Sequence, residues 1–188
     1  MTEFSSGPLR VECSFERKRR ALGWLRDALE TLLPAVAIAL LINLFLAQST
    51  IVLGQSMESN LHSNQRLIVE KVSYRFHAPQ RGDIVVFKRP EWEGHPLIKR
   101  VIGLPGERVE IRDGCVWVDG VPLDEPYLDH ETPGMMAPIV VPPFHVFVLG
   151  DNRGASNDSR YFGPVAFEHI QGKAWLSYWP LDELKIVE

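Results

Sequence analysis

The chain has little cysteine and little histidine: two of the former and six of the latter in 188 residues. Cys13 lies in a basic N-terminal stretch and Cys115 inside a hairpin pattern, so neither a disulfide framework nor a CxxC metal site follows from them. His62, His77, His95, His130, His145 and His169 are scattered, and no HExxH pair occurs among them. No metal or other cofactor is expected. Excess positive charge is missing too. Twenty Lys and Arg against 24 Asp and Glu give a formal net charge of −4, which removes the basic footprint of a nucleic-acid binder and leaves a membrane or protein partner. With 45% apolar and 23% charged residues, there is material for one compact domain and a small appendage but not for two large domains. No internal repeat or low-complexity tract is present, and nothing in the sequence specifies an oligomeric state.

One stretch lacks charge almost completely. From Ala28 to Leu53 the chain reads ALETLLPAVAIALLINLFLAQSTIVL, and between Thr31 and Ala47 only Thr31 and Asn43 have polar side chains. With its apolar continuation this run reaches the ~20 residues that cross a bilayer. Arg17, Lys18, Arg19, Arg20 and Arg26 precede it, and the positive-inside rule keeps such a cluster cytoplasmic. The expected organisation is therefore a basic cytoplasmic tail (1–27), a transmembrane helix (28–53) and an extracytoplasmic domain (54–188). A cleaved signal peptide and a buried core helix are the two alternatives for the apolar run. Pro34 sits near its start, where a missing amide hydrogen costs least.

Beyond Gln55 the pattern changes to short β-branched runs punctuated by Gly, Pro and Asp. These predict strands at Arg66–Val72, Asp83–Lys88, Leu97–Gly103, Arg108–Ile111, Cys115–Val118, His145–Gly150 and Gly172–Trp179. Asp113-Gly114 and Asp119-Gly120 are two-residue hairpin signals, since a type I′ turn requires positive φ at both central positions. Residues 108–123 then form a small meander. The Pro-, Gly- and Met-rich segment from Asp124 to Pro143 reads as a surface loop, so that 108–143 is a loop-like or reduced subdomain. The fold class is mostly β.

Three segments offer chemistry. Ser56, in GQSMESNL, nearly completes a Gly-x-Ser-x-Gly elbow, but Glu58 replaces the second glycine and no strand precedes it. A solvated serine close to the apolar run is the plain alternative. Lys99 lies in HPLIKRVIGLPGE among Leu97, Ile98, Val101 and Ile102. Burial there would penalise its charged form and leave a neutral amine able to act as a general base; snorkelling of the ammonium into water is the competing reading. The stretch LGDNRGASNDSRYFG carries Asp151, Asn152, Arg153, Ser156, Asp158, Ser159 and Arg160. It is either a solvated loop or a rigid hydrogen-bonded support for a base. A triad of Ser56 or Ser156 with His145 and Asp151 can also be written down.

In this order, after an apolar anchor, the motifs GQSMESNL, RGDIVVF, IKRVIGLPGE and GDNRGASNDSRYFG resemble those of type I signal peptidases, membrane-anchored Ser-Lys proteases. The resemblance covers nearly all of the chain after the tail. It implies a signal-peptidase-like, repressor-protease-like antiparallel β domain after one transmembrane helix. It also implies cleavage of signal peptides from exported preproteins after small residues of the Ala-x-Ala type. Ser56 is then the nucleophile, Lys99 the base, and Ser156 the hydroxyl that orients the lysine amine, with Asp158, Arg153 and Arg160 as structural support. Val52, Leu53, Met57 and Ile98 would line shallow apolar pockets. The implied partners are preproteins and the lipid bilayer, without nucleic acid, and the implied location is the cell membrane with the catalytic domain outside. Two departures stand out: Ser59 and Asn60 occupy the place of a Pro-Thr pair, and Gly54 the place of a serine whose hydroxyl helps to bind the oxyanion. A soluble self-cleaving repressor-type protease and a non-enzymatic, membrane-tethered peptide-binding domain are the competing classes.

Overall fold

The computed structural model describes residues 24, 29–41, 46–91 and 93–187. The basic cluster, Cys13 and nearly all of the expected cytoplasmic tail lie outside the described residues. The chain divides into two units, residues 1–44 and residues 45–188. In the first, residues 29–41 are helical. Among the described residues no helix is long and apolar enough to cross a membrane.

The expected helix end at residue 53 needs correction, because Ala47–Ile51 is a strand, β1. Its sequence AQSTI is short, polar in the middle and β-branched at its end, and its backbone pairs antiparallel with Arg66–Glu70, β2, from Ala47 opposite Glu70 to Ile51 opposite Arg66. The remaining strands are β3 (Ile84–Phe87), β4 (Leu97–Gly103), β5 (Arg108–Arg112), β6 (Cys115–Val118), β7 (Val121–Pro122), β8 (Met136–Val140), β9 (His145–Leu149), β10 (Val165–Ala166), β11 (Ile170–Trp179) and β12 (Lys185–Ile186). All seven expected strands are present, with ends shifted by at most two residues.

An eight-stranded antiparallel sheet has the order β1-β2-β11-β3-β4-β9-β10, with β12 on β11. A second sheet, β7-β6-β5-β8, is built from the meander and one strand more. Asp113, Gly114, Asp119 and Gly120 all have positive φ, as the paired type I′ turns require. The segment 124–143 is not loop throughout. MAPIV pairs with β5 as β8, an edge strand, which is where Pro138 is tolerated.

Alternation along the strands divides the interior. In β3, Ile84 and Val86 join one cluster with Val52, Met57, Leu61, Leu67, Val69 and Ile98, while Val85 and Phe87 join another with Val101, Val146 and Val148. A third cluster, with Ile102, Val109, Ile111, Val116, Phe147 and Leu149, ties the second sheet to the first. Strand β4 is buried along nearly its whole length, so its two charged residues, Lys99 and Arg100, are carried into the interior.

Candidate active site

Three pieces of chain meet at Ser56: the turn that follows β1, the centre of β4, and the loop that leaves β9. The register Arg100 opposite Leu149 brings residues 150–153 alongside Lys99 and Arg100. Ser56 is partly exposed, while Met57 beside it is 1% exposed and anchors the turn in the hydrophobic cluster. The Ser56 carbonyl accepts a hydrogen bond from the Asn152 amide at 3.0 Å. Gly150 makes this approach possible. A Cβ there would collide with the Ser56 carbonyl oxygen and with Ser156 Oγ.

Lys99 is 2% exposed, and its Nζ lies 2.5 Å from Ser56 Oγ. The snorkelling alternative is thereby removed. Burial pulls the Lys99 pKa from 10.5 down to about 8, against the opposing pull of the Asp158 and Asp151 carboxylates, with Arg160 lowering it further. A much larger fraction of the amine is then neutral near physiological pH than in an exposed lysine.

The polar loop is rigid rather than solvated. Asp158 is fully buried; it accepts from the Gly150 amide at 3.1 Å, caps the short helix Ser159–Phe162 and pairs with Arg160 at 2.8 Å. Arg160 also donates to the Arg153 carbonyl at 2.7 Å and to the Ser156 carbonyl at 3.3 Å. Arg153, likewise buried, donates from Nε to the Gly150 carbonyl at 3.0 Å. Its other two nitrogens grip Glu125 at 2.5 and 3.1 Å and Thr132 Oγ1 at 2.5 Å. Ser156 is buried, but its Oγ makes no hydrogen bond, so the expected bond from this hydroxyl to Lys99 is not formed. Of the expected pocket residues, Val52, Met57 and Ile98 belong to the buried cluster beneath the serine, and Leu53 is half exposed. His145 opens β9, and its Nδ1–H donates to the Pro143 carbonyl at 2.8 Å. It stands a strand length of roughly 16 Å from Gly150.

Several residues that hold the site together have no motif of their own. Arg100 grips Asp151 through two bonds of 2.8 and 2.9 Å, reaches the Gly82 carbonyl at 3.1 Å and stacks on the Tyr127 ring at 3.9 Å. Asn60 Nδ2 donates to Asp151 at 2.9 Å and to the Tyr127 carbonyl at 3.1 Å, and Ser59 donates to Asp129. Burial and the neighbouring Glu125 push the Tyr127 phenol pKa upward, and the phenol donates to that carboxylate at 2.6 Å. The segment 125–132 is thus a strap fastened to both the Ser56 turn and the loop after β9. One indication was available: a charged pair carried by an apolar strand needs an internal counterion. Among the described residues no group of three or more His, Cys, Asp and Glu side chains is arranged to hold a metal ion.

A serine hydroxyl against a buried amine, on a scaffold of antiparallel sheets, is an arrangement suited to a serine hydrolase. Residues 25–179 match the family model described as signal peptidase, peptidase S26. The chain is 43% identical over 165 residues to a probable signal peptidase I-1 of Synechocystis sp., covering 84% of each chain. It is 41% identical over 167 residues to a signal peptidase I of Leptolyngbya laminosa, covering 85% of this chain and 82% of the other. It is 38% identical over 163 residues to a signal peptidase I of Bacillus caldolyticus, covering 79% and 88%. The chain belongs to the signal peptidase family, peptidase S26, and is a serine endopeptidase.

Proposed function

We propose that the protein is a membrane-anchored endopeptidase that removes N-terminal signal peptides from exported preproteins, cutting after small residues of the Ala-x-Ala type through an acyl-enzyme. The observation that supports this most is the 2.5 Å approach of Lys99 Nζ, on a buried side chain, to Ser56 Oγ. In this reading neutral Lys99 takes the Ser56 proton as Oγ attacks the scissile carbonyl. The resulting ammonium returns that proton to the departing amine, leaving an ester on Ser56. Water, deprotonated by Lys99, then releases the signal peptide as a carboxylate and restores the serine. The Ser56 main-chain amide serves the oxyanion together with a second donor. The apolar run that begins at Ala28 and ends before β1, partly outside the described residues, is the proposed anchor; it holds the enzyme in the bilayer where its substrate's own apolar segment resides. The basic cluster before it orients the tail toward the cytoplasm and the catalytic domain outward. Of Val52, Leu53, Met57 and Ile98, half-exposed Leu53 offers apolar surface to the small side chains, while the other three are buried in the core.

The test is incubation of the detergent-solubilised full chain with a preprotein bearing a signal peptide. Cleavage after a small residue is expected, with Ser56→Ala near background. A preprotein left intact by the wild-type enzyme, or cut equally by Ser56→Ala, would overturn the reading.

Ser156 has a narrower proposed role: its buried hydroxyl, which has no hydrogen-bond partner, orients the Lys99 amine. Ser156→Ala is expected to lower kcat by on the order of tenfold to a hundredfold while leaving KM nearly unchanged, a smaller loss than in Ser56→Ala. A variant of full activity would remove this hydroxyl from the reaction.

A further inference from the structure

A cleft of about 640 Å³ opens beside the Ser56 turn. One wall carries Glu58, Ser59 and His62, shortly after the serine; another is the strap residues Asp129, His130 and Glu131 with Pro133 just beyond them; the lining also includes Asp151, Asn152, Arg153 and Gly154. None of the four expected pocket residues lines it. The cleft is preformed, since the Ser59 to Asp129, Asn60 to Tyr127 and Arg153 to Glu125 and Thr132 bonds fasten its walls to each other.

Its charge is one-sided. The cation in the lining, Arg153, has a side chain 2% exposed and already paired with Glu125, and Asp151 is 1% exposed and paired with Arg100. Glu58, Asp129 and Glu131 remain, and among the described residues no salt bridge joins any of them to a cation. Asp129 accepts one bond from the neutral Ser59 hydroxyl.

A polypeptide lying extended across Ser56 has one arm on each side of the serine. On the side before Ser56 the chain presents half-exposed Ile51 and Leu53. On the side after it lies the acidic cleft. If the proposed function holds, the apolar signal peptide matches the first side, and the polar segment released as the amine product matches the second. From this geometry we infer that the cleft is the binding site for the first residues after the scissile bond, and that Glu58 and Glu131 make it selective for basic over acidic residues there. Carboxylates at a partly exposed cleft attract a lysine ammonium and repel a carboxylate, each by a modest, salt-sensitive amount.

The test uses the full chain in detergent and three forms of one preprotein, with Lys, Gln or Glu as the second residue after the cut. At low ionic strength kcat/KM is expected to fall in the order Lys, Gln, Glu, with roughly tenfold between the extremes. The spread should shrink in high salt and approach one in the Glu58→Gln, Glu131→Gln double variant. Equal rates on the Lys and Glu forms by the wild-type enzyme, or an unchanged ratio in the double variant, would overturn the assignment while leaving the proposed function standing. Failure to cleave any of the three would overturn both. The wild-type series decides the matter even where the double variant folds poorly.

Discussion

Replacing Lys99 by arginine is expected to lower kcat/KM by on the order of 10²–10⁴-fold, the share of the rate that a positioned general base supplies. Arginine has similar length and the same charge as a lysine ammonium, so a lysine serving only as an ion-pair partner would tolerate it. A guanidinium stays protonated at any accessible pH and has no lone pair to offer Ser56. Lys99 is 2% exposed, and a permanent cation at that position strains the fold as well as the chemistry. Lys99→Met separates the two effects. It fills much the same volume without burying a charge, so it should melt at or above the wild-type temperature and remain equally inactive. A well-folded Lys99→Met or Lys99→Arg enzyme that retained most of the wild-type rate would remove Lys99 from catalysis and make His145 the next base to examine, despite its distance along β9.

Arg100→Ala should produce the largest loss of stability. The guanidinium and the Asp151 carboxylate are 3% and 1% exposed and joined by two bonds, and truncating one partner leaves the other charged and buried. Breaking such a pair costs about 3–5 kcal/mol. A fall in Tm of roughly 10 °C follows for a chain of this size. Activity should fall with it, because Asp151 also receives Asn60 from the Ser56 turn. Replacing both members, as Arg100→Met with Asp151→Leu, removes the unpaired charge and should recover much of the stability. It should not recover the rate, because Asn60 then lacks the acceptor that places the serine turn. Thermal melting beside kcat/KM for the single and double variants checks this, and an Arg100→Ala enzyme that melts within a degree or two of wild type would contradict it.

The strands were readable because their signals are local. Alternation, β-branched runs and the two Asp-Gly turns depend on neighbours a few residues away, and β5 and β6 follow from them almost residue for residue, with β7 inside the expected meander. The meeting of Ser56 and Lys99 was expected from the order of the motifs, of which the one around Lys99 is long and specific. β1 was not, because an apolar run that continues into QSTIVL gives no helix stop, and only pairing with β2 makes those residues a strand. β8 was hidden by Pro138 and its low strand propensity, and it exists because β5 had an open edge. The supports of the site, Arg100 with Asp151 and Arg153 with Glu125, join residues 51 and 28 positions apart, beyond the reach of any periodicity. The role given to Ser156 came from resemblance, and its unpaired hydroxyl shows how little a motif says about the orientation of one side chain.

The pH dependence of kcat/KM for the wild-type enzyme on a preprotein tests the Ser56–Lys99 pairing most directly, since that ratio reports ionisations of the free enzyme. Below its pKa Lys99 carries the proton that blocks it as a base, so the rate should rise about tenfold per pH unit and level off above a midpoint near the value of about 8 to which burial brings the amine. Lys99→Arg should show no such limb. A wild-type limb centred near the unshifted 10.5, or near the ~6.5 of an ordinary histidine, would mean that a buried neutral Lys99 is not the base that activates Ser56.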